Sequence, residues 1–441
     1  MHAAITIFVF VIVFALIYRG AMDRRVAVLG GAATIFLYGL GAGFLSLKNT
    51  LDAIYFETLA LIFGMSLVSA ILARSGLFAM IAHRAAAGAV GNGWWILVLF
   101  SLLTYSLSLV VNNLAAIVVI APVTLTLCRQ MKLDPIPILI AEIIASNLGG
   151  ASTMIGDFPN MIILSAAHLQ FVDFISGMMV PCLMLLAVML GYFQWRRGEI
   201  MLDLATAAQG QTDASGGSTP VFEDPVVDPR LLKWGLGILA VMLIAFVLFE
   251  TLQLRPGWIA LLGGLVALAV DARYKDDWFA DCGGPDILFF AGLFVMVGGL
   301  VAAGVLDGFV WLIDTVSGGC DVPRLLALMW IAAISTIFLN AGPSTAFFIP
   351  VANGMYQSLA DPRVWWALSL GVLAGSSAAL SGATAGVVTV SRLDRYVADH
   401  PEMKDFMSRP TLDFRTYLNW GLPIMGIFLA ISTLYITSVS L

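Results

Sequence analysis

The sequence predicts an all-α integral membrane fold of two inverted repeats, each with one re-entrant helical hairpin and one broken transmembrane helix. Three observations predict it. Of 441 residues, 60% are hydrophobic and only 11% are charged, against about 45–50% and about 25% in a typical soluble domain. The apolar residues gather into runs long enough to cross about 30 Å of hydrocarbon as helices. Segments on either side of a central polar stretch also match each other at a nearly constant offset.

The composition narrows the function classes as well. With 22 basic and 28 acidic residues, the charges are too few and too scattered for a nucleic-acid surface, and no nucleic-acid partner is expected. Cys128, Cys182, Cys282 and Cys320 form no CxxC pair and have no nearby histidine cluster. Neither a disulfide framework, a metal site nor a cofactor is expected.

The first span runs from about Ala3 to Tyr18. With no basic leader and no small-residue cleavage site, it reads as a retained anchor. Further apolar runs lie near 26–47, 54–73, 94–127, 135–165, 175–195, 231–252, 257–272, 285–306, 324–358, 364–391 and 418–440. The runs 94–127, 135–165 and 324–358 exceed one simple crossing and are interrupted by Asn, Gly or Pro.

Basic residues set the topology, because positive charge marks the cytoplasmic side. Arg19, Arg24 and Arg25 follow the first span, and Arg74 and Arg84 follow the third. Arg129 and Lys132 follow 94–127, and Arg196 and Arg197 follow 175–195. Both ends of 94–127 are then cytoplasmic, so that segment enters and returns as a re-entrant hairpin. The segment 324–358 becomes a hairpin from the opposite side. Only Lys48, Arg255, Arg324 and Arg363 of the 22 basic residues fall outside, and both termini are expected on the non-cytoplasmic face. Residues 198–229 include Gln209-Gly-Gln-Thr-Asp-Ala-Ser-Gly-Gly-Ser218. They read as a disordered cytoplasmic linker between repeats at 1–197 and 230–441.

The halves correspond in order. Asn112-Asn113 with Ala121-Pro122-Val123 matches Asn340-Ala341 with Ile349-Pro350-Val351 at an offset of 228. Ile62-Phe-Gly-Met65 matches Leu293-Phe-Val-Met296 at 231, and Ala145–Ser152 matches Ala374–Ser381 at 229. Opposite orientation makes this an inverted-topology repeat, the mark of a secondary transporter.

Such repeats place their site where interrupted helices meet near the midplane. The candidates at the hairpin tips are Asn112, Asn113, Asn340, Ser344 and Thr345. In the broken spans they are Asn147, Gly149, Gly150, Ser152 and Thr153, then Ser376, Ser377, Ser381 and Thr384. A helix starting at Pro135 reaches Asn147 after about 18 Å. Gly149 and Gly150 are expected to let the backbone leave the helix there. Freed carbonyls with Asn and Ser/Thr oxygens then suit a small cation, and helix N-termini suit an anion. Packing kinks between helices are the alternative reading of the same breaks.

The run from Leu125-Thr-Leu-Cys128 through Ile140-Ala-Glu-Ile143 to Ser146-Asn-Leu-Gly-Gly-Ala-Ser-Thr-Met-Ile-Gly-Asp-Phe-Pro-Asn160 resembles the ion transporter superfamily. Its most similar branch holds arsenite permeases, NhaD-type sodium–proton antiporters and the P protein. Tyr55–Met65, Ala73–Gly76, Arg255–Ala260, Asp286–Phe290 and Ala379–Gly386 look like magnetosome membrane proteins. That resemblance implies residence in a magnetosome or bacterial inner membrane, with other magnetosome membrane proteins as partners and a role in magnetite formation. Relatives of this fold are often dimers, so a homodimer is implied as well. Two positions depart from the sodium–proton pattern. The first tip has Asn112-Asn113 without a carboxylate, and the second broken span has serines and a threonine where relatives carry Asn.

Three carboxylates are candidate proton carriers, since burial favours the neutral form of an acid and brings proton exchange toward neutrality. Asp157 lies in the broken segment, where capping the next half-helix is its alternative role. Glu142 lies about 10 Å into its helix, and Glu57 near the non-cytoplasmic surface. Asp286 reads as a helix cap. The expected activity is proton-coupled cation antiport, with a proton and sodium or another cation as the transported ions. An anion or oxyanion permease, for arsenite or a dicarboxylate, is the second reading, and a non-transporting membrane scaffold is the third. No catalytic set accompanies these residues, so an enzyme is not expected.

Overall fold

The computed structural model describes residues 1–89, 92–167, 169–196, 226–248, 254–271, 279 and 283–439. Residues 198–225 of the predicted linker lie outside the described residues. Its last residues are held: Asp228 donates its N–H to the Ser75 carbonyl (3.0 Å) and caps the helix that follows.

Every regular element among the described residues is helical. The first repeat comprises α1 (His2–Tyr18), α2 (Arg24–Gly41), the short α3 (Leu47–Asp52), α4 (Phe56–Arg74) and α5 (Leu77–Ala89). The first hairpin follows as α6 (Gly93–Ser108) and α7 (Asn113–Met131). The first broken span is α8 (Pro135–Ala151) and α9 (Phe158–Ala167), and α10 (Phe171–Trp195) closes the repeat. The second repeat begins with α11 (Pro229–Val247), α12 (Pro256–Val270), α13 (Gly284–Ala302) and α14 (Val305–Ser317). Its hairpin is α15 (Asp321–Leu339) and α16 (Ala341–Leu359), and its broken span is α17 (Arg363–Ala378) and α18 (Gly386–Asp399). A 3-10 turn over Pro401–Asp405 precedes α19 (Phe414–Ser438). Among the described residues, seven helices are long and apolar enough to cross a membrane.

Local chemistry fixes the ends. Asp134 accepts the Ile136 N–H (3.0 Å), with Pro135 at the first helical position of α8, where its missing N–H costs no hydrogen bond. Lys132 ends α7 and Ala360 ends α16, both at φ 52° and 228 residues apart. Pro122 and Pro350, at the same spacing, sit inside α7 and α16. The duplication is therefore visible in backbone conformation as well as in sequence.

The repeats interlock by exchange. Helix α2 packs on α13 of the other repeat, and α12 packs in return on α4. The second hairpin arm α16 lies against α9, and α7 lies against α18. Every residue of α8 is buried, as are 364–378 of α17. The unwound stretch 152–157 after α8 is buried, whereas 379–385 after α17 is partly open; non-helical backbone is tolerated at membrane depth when buried in protein or lining a cavity.

Candidate functional site

Helix α8 continues through Gly149 and Gly150 to Ala151, so the expectation that these glycines release the backbone is corrected. They permit close approach. A Cβ on Gly149 would strike the Tyr105 carbonyl and Ser108, and one on Gly150 would strike Asn113 and Asp157. The first hairpin tip rests on α8 because those side chains are missing. Gly375 meets the Ala333 carbonyl and Thr336 in the same way. Packing therefore pairs Gly149 with Gly375, an offset of 226 in place of the 229 read from sequence. The backbone departs at 152–157 and 379–385.

The hairpin tips are tied by hydrogen bonds. Asn112 caps α7 by accepting the Ala115 N–H (2.7 Å). Asn113 accepts from Ser108 Oγ (2.6 Å) and donates to Asn147 Oδ1 (3.3 Å). Asn147 donates in turn to the Ser376 carbonyl (3.3 Å). In the second repeat Asn340 donates to the Ser381 carbonyl (3.0 Å), and Ser381 Oγ donates to Ile337 (2.8 Å). Thr153 donates likewise to Leu109 (2.8 Å).

A cavity of about 10 Å³ lies at this junction, lined by Asn147, Ala151, Asp157, Pro159, Asn160, Ala341, Ser369, Val372, Leu373 and Ser376. That is space for about one water-sized sphere. Three residues expected at the site, Asn147, Asp157 and Ser376, line it. Asp157 is 7% exposed, and its Oδ1 accepts the Phe158 N–H (2.8 Å). Asp157 thus starts α9 and lines the cavity at once.

Asn160 and Ser369 also line the cavity, and sequence reasoning did not single them out. The Asn160 amide nitrogen shares its two hydrogens among the carbonyls of Gly150 (3.2 Å), Ala151 (3.0 Å) and Thr153 (2.8 Å). A cation bound by any of these carbonyls would share it with the Asn160 amide. Ser369 donates to Asn160 Oδ1 (2.8 Å), a second polar link between the repeats. Its signal was present, since Ser369, Val372, Leu373 and Ser376 share one helical face.

Other expected residues hold the scaffold and line neither this cavity nor the larger one described next. Ser152 bonds Tyr105 Oη (2.8 Å), Ser344 accepts from Thr336 (2.8 Å), and Thr345 and Ser377 donate to carbonyls one turn back. Glu142 is wholly buried between α7 and α8, accepting from Thr124. Its second carboxylate oxygen has no hydrogen-bond partner among the described residues. Glu57, in the first turn of α4, packs on Gly257 of α12.

Asn340, Ser381 and Thr384 line a vestibule of about 630 Å³, together with Arg24, Asp286, Phe158 and Phe290. Asp286, expected as a cap, forms an ion pair with Arg24, so the vestibule's two charges compensate. At the preceding turn the Arg25 guanidinium and backbone N–H bond Asp23 and hold its carboxyl well below the usual range.

Residues 8–371 match the model of a family described as Citrate transporter. The chain is 48% identical to magnetosome protein MamN of Magnetospirillum gryphiswaldense, with 99% of each chain covered. It is 47% identical to magnetosome protein MamN of Paramagnetospirillum magneticum, again with 99% of each covered. Its fold is similar to the crystal structure of the Alcanivorax borkumensis YdaH transporter, at TM-score 0.51 and 15% identity, covering 99% of this chain and 98% of that one.

Proposed function

The chain belongs to the citrate transporter family, and from that premise we propose a secondary transporter that exchanges protons for another cation across a magnetosome membrane. Magnetite formation from dissolved iron and water releases protons, and export from the lumen would sustain crystal growth. The magnetosome setting is supported by the similarity to MamN. Both termini are read on the luminal face from the distribution of basic residues.

One observation carries the ion reading. The cavity between the repeats has about 10 Å³, and half of the ten residues that line it are polar: Asp157, Asn147, Asn160, Ser369 and Ser376. A carboxyl and neutral oxygens in so small a space suit one bare cation or one proton-bearing water. A citrate-sized anion does not fit there, and a carboxylate would repel it. Exchange follows when protonated Asp157 cannot hold the cation and ionised Asp157 can. Glu142, buried behind the same helix, is a second candidate carrier.

The vestibule favours an alternative, a permease for a carboxylate or oxyanion, because its volume admits a polyatomic solute beside Arg24. The Asp286 partner of Arg24 weighs against it. Proteoliposomes loaded with a pH dye separate the two. Antiport predicts that an imposed sodium or potassium gradient moves protons, and that citrate or arsenite gradients do not. Proton movement with an oxyanion gradient alone would replace the first reading by the second.

A further inference from the structure

The two cavities approach without joining. Asp157, Ala341 and Ser376 line the small polar one. Their near neighbours Phe158, Gly342 and Leu380 line the vestibule. Three separate segments therefore pass from one lining to the other within one to four residues.

Two rings line the vestibule on this side, Phe158 next in sequence to Asp157 and Phe290 against Gly342. Phe158 and Phe290 meet edge to face, with centroids 5.4 Å apart and planes at 67°. They are 5% and 2% exposed. Phe290 also closes on the second hairpin, because a Cβ on Gly342 would strike its ring. Charge does not filter solutes in the vestibule, where Arg24 and Asp286 form an ion pair. Size does, where about 630 Å³ gives way to about 10 Å³.

We propose that Phe158 and Phe290 are the size-selecting barrier between vestibule and polar cavity, passing a proton or a small cation stripped of water and rejecting polyatomic anions. This role rests on the small cavity being the ion site proposed above. Phe158 belongs to α9 of the first repeat and Phe290 to α13 of the second. A shift that separates α9 from α13 would part the rings, and the attraction of a ring face for a cation would ease its passage.

Cysteine labelling tests the barrier without requiring transport. In full-length protein carrying Cys282→Ser and Cys320→Ser, a small water-soluble methanethiosulfonate is added to inverted and right-side-out vesicles. Thr384→Cys, in the vestibule, should label readily in one orientation. Ser376→Cys should label slowly with both rings present. Phe290→Ala or Phe158→Ala should then speed Ser376→Cys by about tenfold or more, equivalent to about 1.4 kcal/mol of barrier, leaving Thr384→Cys unchanged. Phe290→Leu, which preserves bulk, should stay near the slow rate and so separates barrier loss from misfolding.

Fast labelling of Ser376→Cys with both rings intact overturns the barrier. So does a Ser376→Cys rate unmoved by either alanine, or a Thr384→Cys that labels in neither orientation. A chain that moves no cation but gives the expected labelling would keep the barrier and discard the antiport reading.

Discussion

The side-chain amide of Asn147 donates to the backbone carbonyl of Ser376 across 3.3 Å, joining two broken helices that enter from opposite repeats. Asn113 donates to the oxygen of the same Asn147 (3.3 Å). A single buried amide therefore couples the first hairpin, the first broken span and the second. Asp157 stands at this junction with one oxygen committed to the start of α9.

Replacing Asp157 by Asn keeps an oxygen for the Phe158 N–H and removes the exchangeable proton. Dye-loaded proteoliposomes should show proton flux reduced to the level of empty liposomes. Thermal unfolding in detergent should indicate a stability change within about 1 kcal/mol, the scale of one exchanged hydrogen bond. Wild-type flux from this variant would remove Asp157 from the mechanism.

Asn160 is expected to matter more for architecture than its neighbour Ser369. Asn160→Leu leaves the carbonyls of Gly150, Ala151 and Thr153 without this donor and should cost about 1–3 kcal/mol. Ser369→Ala removes one donor and should cost about 1 kcal/mol. Denaturation midpoints of the two variants, measured side by side, check the order.

Gly149→Ala drives a methyl into the Tyr105 backbone carbonyl and should destabilise by about 1–3 kcal/mol. At Gly30, within α2, a Cβ meets nothing within 4 Å. Gly30→Ala should therefore be neutral or stabilising by up to about 1 kcal/mol. Thermal scans of both variants give the comparison.

Arg24→Gln leaves Asp286 without its cation. Arg24 is 49% exposed and the Asp286 side chain 11%, so the loss should be about 1–2 kcal/mol, below that of a fully buried pair. Arg24→Gln combined with Asp286→Asn should recover most of it. A double variant as unstable as Arg24→Gln alone would show that the pair is not the cause.

Asp23 gives a pH prediction. Its carboxyl is held below the usual range by Arg25, against about 3.9 in an unfolded chain. The resulting support for the start of α2 is present above that ordinary value and lost only as pH falls through the lowered one. Hydrogen exchange at the first α2 amides should therefore distinguish wild type from Asp23→Ala at neutral pH, and the difference should fade in strong acid.

The fold was legible where local chemistry writes it. Long apolar runs, Pro135 after Asp134, and the matching Pro122 and Pro350 all declare helices and duplication in the sequence itself. The site was legible only in part. Asn147, Asp157 and Ser376 reach the small cavity, whereas Asn112 caps a helix and Thr345 bonds its own helical turn. Glycines at 149 and 150 announced that something unusual happens there, but not whether the backbone unwinds or another backbone comes close.

Hydrophobic length, capping and repetition are properties of neighbouring residues, so a helical membrane protein with two related halves can be read from the chain directly. Which polar atoms remain available is settled when distant segments come together. A carbonyl after α8 is free or taken according to where Asn160 points, and Asn160 is oriented by Ser369, 209 residues away. Hydrogen bonds act across about 3 Å, and no spacing along the chain reveals which distant groups folding brings within that reach.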